Sequence, residues 1–135
     1  MRGLRQPSVQ EEGYTLIELL VVIVIIGVLL AIAVPSYLGY RGRAADRVAQ
    51  SDLRAALPAA EAYRTDHTDY SGMDISSLRS ADAGLAPSID SVVVTGGGSG
   101  YCIGATVAGI SWGLQGPGAT WYRSDDCASG SEATP

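Results

Sequence analysis

The feature that most constrains this 135-residue chain is a run of sixteen consecutive apolar or small residues, Leu19 to Val34. Tyr14 to Ile17 extend it upstream, and Glu18 is its one charge. As a helix, Tyr14 to Val34 rises about 1.5 Å per residue and reaches about 31 Å, roughly the thickness of a bilayer's hydrocarbon core. An ordinary secretory signal peptide would use Arg2 and Arg5 as its basic start and Ala31-Ile32-Ala33 as its cleavage site. Glu11 and Glu12 cancel those two charges, however, and a carboxylate lies inside the run. A plain membrane anchor gives no reason for Glu18, which costs about 2.5–3.5 kcal/mol at a bilayer centre and less near an interface.

Missing residue types exclude much chemistry. All nine basic residues are Arg, Lys, Asn and Phe are absent, and His67 is the only histidine. Without Lys there is neither a Walker-type phosphate loop nor a Schiff-base nucleophile, so Gly96-Gly97-Gly98-Ser99-Gly100 reads as a flexible turn. A single histidine cannot build a two-histidine zinc helix. Asp66, His67 and Asp69 read as a solvated loop, with no further ligand run to make a metal site. The net charge of −5 with 47% apolar residues predicts a folded acidic protein and no nucleic-acid partner. No catalytic residue, metal or cofactor is expected, and the chain reads as a non-enzyme.

Gly13-Tyr14-Thr15-Leu16-Ile17-Glu18, followed by Gly27 and Pro35, resembles the type IV pilin family. In that family a polar leader ends in Gly, an aromatic residue opens the mature chain, and a Glu follows four residues later. Gly and Pro then recur in a long apolar helix. The resemblance implies an α+β fold, type IV pilin-like, with a long N-terminal helix, transmembrane in its first half, on a small sheet of three or four antiparallel strands. It also implies cleavage between Gly13 and Tyr14 by a prepilin peptidase that methylates the new Tyr14 amine.

On a helix Tyr14 and Glu18 share a face. The resemblance has Glu18 meet the Tyr14 amine of a neighbouring copy during filament growth, so that a costly charge becomes a register mark. Gly27 is a weak helix former and Pro35 cannot donate to the carbonyl of Ala31, so the segment between them is expected to kink or melt. Implied partners are copies of the chain in a helical filament, the pilus assembly platform and motor, minor pilins, and the inner membrane before assembly. The head would lie outside that membrane, and the mature form in an extracellular pilus. Arg41, Arg43, Arg47 and Arg54 outnumber Arg2 and Arg5, which the positive-inside rule reads in the opposite orientation.

Four segments follow: a leader over 1–13, an apolar helix over 14–35, an amphipathic helix over 36–65 and a head over 66–135. In the third, Tyr37, Tyr40, Ala44, Ala45, Val48, Ala49, Leu53, Ala56, Leu57, Ala60 and Tyr63 recur at helical spacing and predict one buried stripe. Arg43, Asp46, Arg47, Gln50, Arg54, Glu61 and Arg64 occupy the opposite positions, and Pro58 is expected to bend the helix. In the head, Ser91 to Thr95, Tyr101 to Ala108 and Ala119 to Ser124 read as strands, with Ile110 to Leu114 either a fourth strand or a loop. Cys102 and Cys127, the only cysteines, predict one disulfide and an exported head.

Charge is also segregated, at +2 over 36–65 and −6 over 66–135, so contacts between the arginines of one stem and the carboxylates of neighbouring heads are expected. The main functional expectation is a structural subunit of a type IV pilus-like filament. Asp52-Leu53, Ala62-Tyr63-Arg64-Thr65-Asp66 and Tyr70 also resemble the major pseudopilin of a type II secretion system. Those proteins typically carry a calcium loop in place of a terminal disulfide. A ligand-binding minor or competence pilin is a further alternative, and no basic or aromatic-rich patch supports it.

Overall fold

The computed structural model describes residues 13–135, so the expected leader lies outside the described residues except for Gly13. In chain order the elements are α1 (Leu16–His67), α2 (Ile75–Ala81), β1 (Ile89–Thr95), β2 (Gly100–Val107), β3 (Ile110–Gly116) and β4 (Thr120–Tyr122). The strands form one antiparallel sheet in the order β1-β2-β3-β4, so Ile110 to Leu114 belongs to a strand. The fold is α+β, as the sequence predicts. The chain divides into two compact units, one ending at Leu38 and one covering Gly39–Pro135.

Within the second unit, period-two side chains build the sheet's inner face. Ile103 lies opposite Leu114 and Ala105 opposite Trp112 across β2 and β3. All four are buried, and they share one core with Ala49, Leu53, Ala56 and Ala60 of α1. Alanine is the best helix former and carries no side chain past Cβ, so this half of α1 can lie close to the sheet.

The buried stripe on α1 is narrower than expected. Ala45, Ala49, Leu53, Ala56, Ala59 and Ala60 are buried, but Tyr40 and Val48 remain 69% and 48% exposed and Ala44 is also exposed. One residue is about 100° of helix, so a sheet covering one face leaves 44 and 48 on its flank. In the first unit, Tyr37 is likewise exposed. Three polar residues expected to face outward are instead engaged. Gln50 is buried, the Tyr70 hydroxyl donates to Glu61 Oε1 at 2.9 Å, and Asp46 accepts from Trp112 Nε1 at 2.8 Å.

Helix α2 is not among the expected elements. Its signal is a capping box at Asp74, whose carboxylate accepts the Ser77 N–H at 2.7 Å while the Ser77 hydroxyl accepts the Asp74 N–H at 2.9 Å. Leu78, fully buried, anchors the helix to the core.

The sheet's other face is covered by the C-terminal loop. Cys102 and Cys127 form the disulfide, with a Cα–Cα distance of 6.0 Å. Gly104 and Gly113 pair across β2 and β3, and the loop lies directly on both. A Cβ at Gly104 would strike Asp125, and one at Gly113 would strike the Ser124 carbonyl and Cys127 Sγ. The Ser91 hydroxyl donates to the Asp125 carbonyl at 2.7 Å and fastens the loop to β1 as well. β2 is therefore buried on both faces for most of its length. β4 ends at Tyr122, earlier than expected, because the chain there turns into this loop. The tail returns beside β4, where the Ala133 N–H donates to the Trp121 carbonyl at 2.9 Å.

Asp126 organises the loop. Its Oδ1 accepts from the Ser129 N–H at 3.0 Å, the Ser124 hydroxyl at 2.8 Å, the Ser129 hydroxyl at 2.9 Å and the Ala128 N–H at 3.1 Å. These donors, the Ser129 N–H foremost, hold the Asp126 carboxyl far below the usual carboxylate range. A depressed folded pKa contributes stability that is present above the unfolded value of about 3.9 and disappears as pH falls towards the folded value. Thermal melts between neutral pH and strong acid should therefore show a smaller acid-induced loss for Asp126→Ala than for the natural chain. Parallel losses in the two proteins would contradict this role.

Candidate assembly site

Helix α1 begins with a capping box that the sequence spells as Thr15-Leu16-Ile17-Glu18. Glu18 Oε2 accepts from the Thr15 N–H at 3.1 Å and from the Thr15 hydroxyl at 2.8 Å. Thr15 Oγ1 in turn accepts the Glu18 N–H at 3.3 Å. The carboxylate thus sits at the positive end of the helix dipole, where a negative charge is favoured. The expectations from sequence give Glu18 no such local task, although Thr-x-x-Glu before an apolar run is its signature.

Tyr14 precedes the cap and is not part of the helix, which starts at Leu16. It is 85% exposed and borders a shallow cleft with Ile17, Glu18 and Val21. With Gly13 attached, its nitrogen is a peptide amide; cleavage after Gly13 would convert it to a cationic α-amine four residues before Glu18. Among the described residues nothing donates to the second carboxylate oxygen, Oε1, so Glu18 can cap its own helix and still receive a cation.

The apolar run forms an exposed helical surface. Leu19, Ile23, Leu29 and Ile32 are each more than half exposed, and none of the most apolar stretch is buried. Such a helix is long and apolar enough to cross a membrane. α1 continues through both Gly27 and Pro35. A Cβ placed on Gly27 would meet nothing within 4 Å, so no packing among the described residues requires glycine there.

Residues 10–34 match the family profile described as the prokaryotic N-terminal methylation motif. PilA4 of Thermus thermophilus, a type IV wide pilus major component, is 29% identical over 122 residues, covering 90% of this chain and 93% of that protein. Fimbrial protein EcpC of Eikenella corrodens is 36% identical over 114 residues, covering 78% of this chain and 70% of that protein. The chain belongs to the type IV pilin family. Type II secretion system core protein G of Pseudomonas aeruginosa is 39% identical over 61 residues, covering 45% of this chain and 43% of that protein.

Membership makes this pilin a structural, filament-type protein with a membrane-anchored precursor. Tyr14 and Glu18 lie beside one cleft at the start of the apolar helix, while Gly27 and Pro35 lie within it and Cys102 and Cys127 close the head. His67, the last residue of α1, stacks on Tyr63 with centroids 4.1 Å apart, and Asp69 accepts the Ser71 N–H at 2.8 Å. Both therefore have structural partners.

Proposed function

We propose that this pilin is the structural subunit of a type IV pilus-like filament, cut by prepilin peptidase between Gly13 and Tyr14 and methylated on the Tyr14 amine. The observation that carries this reading is an apolar helical surface that is exposed along its most apolar stretch among the described residues. Exposed apolar area of that extent is unfavourable in water and requires a covering phase. Lipid supplies it before assembly and the helices of neighbouring copies supply it afterwards. The inner-membrane precursor holds its head on the outer side, and the assembly platform, motor and minor pilins complete the filament.

In transit between these two phases Glu18 needs a counter-charge. The methylated Tyr14 amine of a neighbour, approaching Oε1, neutralises it and sets the axial register. Gly27 and Pro35 leave the intervening helix weaker than an all-alanine one by about 1 and 3 kcal/mol respectively, enough to let it loosen on packing.

The deciding experiment is the intact mass and N-terminal sequence of protein sheared from its native cells. A methylated Tyr14 start is expected; a start at Met1 or Val34 would remove the filament mechanism. Glu18→Ala should abolish filaments while leaving precursor in the membrane, and Glu18→Gln, which keeps the cap acceptor without charge, should separate register from capping. Filaments at normal yield from Glu18→Gln would show that the charge is dispensable.

A second reading, a pseudopilin of a type II secretion system, is favoured by the 39% identity to core protein G. That match covers 45% of this chain, whereas those to EcpC and PilA4 cover 78% and 90% and so take in much more of the head. The pilin reading is therefore preferred.

A further inference from the structure

The geometry points to a cleft on the second unit as the socket for a carboxylate of a second copy of this chain, an inference that rests on the filament reading above. The cleft has a volume of about 410 Å³ and is bordered by Arg43, Arg47 and Gln50 of α1, Trp112 of β3, Arg123, and tail residues 133–135. Three guanidiniums thus share one depression with a single side-chain carboxylate, Asp46.

Asp46 is already committed. Its Oδ1 accepts from Trp112 Nε1 at 2.8 Å and from Arg123 Nη1 at 2.6 Å. Arg123 also stacks over the Trp112 ring at 4.4 Å, so its position is fixed from two sides. Arg123 pairs with Asp46, whereas Arg43 and Arg47 have no partner among the described residues. Two like charges one helical turn apart repel each other, and an incoming carboxylate would relieve that repulsion.

The complementary groups lie elsewhere on the same unit. The side chains of Asp66, Asp90, Asp125 and Glu132 have no partner among the described residues. Unpaired cations in one place and unpaired carboxylates in others suit a heterologous, head-to-tail contact. Such contacts repeat without closing and generate helical filaments. This charge complementarity favours a second copy over a lipid phosphate as the occupant.

The test uses the full chain in cells that assemble it. Arg43→Glu/Arg47→Glu should lower the yield of sheared filaments by about tenfold or more, because a buried contact charge is reversed. Cell-associated chain with an oxidised Cys102–Cys127 bond, read on non-reducing gels, should stay at its natural level. One of Asp66→Arg, Asp90→Arg, Asp125→Arg or Glu132→Arg, added to the double variant, should restore filaments at least in part. Unchanged filament yield would overturn the socket while leaving the filament reading intact. Loss that none of the four reversals restores would overturn it in favour of an anion from outside the chain, such as a lipid phosphate. If the double variant fails to accumulate in oxidised form, Arg43→Gln/Arg47→Gln decides: filaments that dissociate at lower salt support the socket, and natural salt resistance overturns it. Absence of filaments from the natural chain would remove both the filament reading and the socket.

Discussion

Leu53→Ala is expected to destabilise the second unit by about 2–5 kcal/mol, a large share of the roughly 5–15 kcal/mol that holds a small domain folded. Leu53 is fully buried and belongs to the core that joins the stem half of α1 to Ile103, Trp112 and Leu114 of the sheet. Truncation removes its transfer energy and leaves a cavity among alanines too short to fill it. Urea unfolding of a fragment spanning 39–135 would measure the loss. Val48→Ala is the control: its side chain is 48% exposed, so the same experiment should show a change within about 0.5 kcal/mol. Equal effects at the two positions would mean that this half of α1 does not pack as described.

Breaking the disulfide, by reductant or by Cys127→Ser, is expected to cost about 3.5 kcal/mol in the loop-entropy account for a sequence separation of 25. The structure adds a second loss. The loop released with Cys127 is the cover over Gly104 and Gly113, whose backbones lie against Asp125, Ser124 and Cys127. Freed of its tether, the loop exposes that strip and Cys102, which is otherwise fully buried. Denaturation with and without reductant should separate the midpoints clearly, and the reduced protein should be cut first within the loop by protease. Coincident midpoints would show that loop packing alone holds this end of the head. In cells the same substitution should lower filament yield through loss of folded precursor.

Features encoded in contiguous spacing are legible in the chain itself. The run from Leu19 to Val34 announces an apolar helix whatever its neighbours do, because length and composition alone determine what a bilayer accepts. The helical periodicity from Ala45 to Ala60 and the alternation from Tyr101 to Ala105 likewise identify the elements whose inner faces meet. Two cysteines in an exported head leave one pairing within a chain. The capping boxes at Thr15 and Asp74 are equally local, and their spacing is enough to find them.

Other features depend on which face of one element meets which residue of another. Asp46 reads as part of a solvated face, yet it holds Trp112 and Arg123, 66 and 77 residues away. Those partners follow from the register of β3 against β2 and the seating of α1 on both, which no local spacing encodes. The requirement for glycine at 104 and 113 comes only from the loop lying on them. The apolar helix, the α+β class and the disulfide thus follow from the order of residues alone, since each rests on local pattern or on the absence of alternatives. How the loop lies on the sheet and which charges stay unpaired emerge only once the chain has folded, because both come from long-range register and close approach.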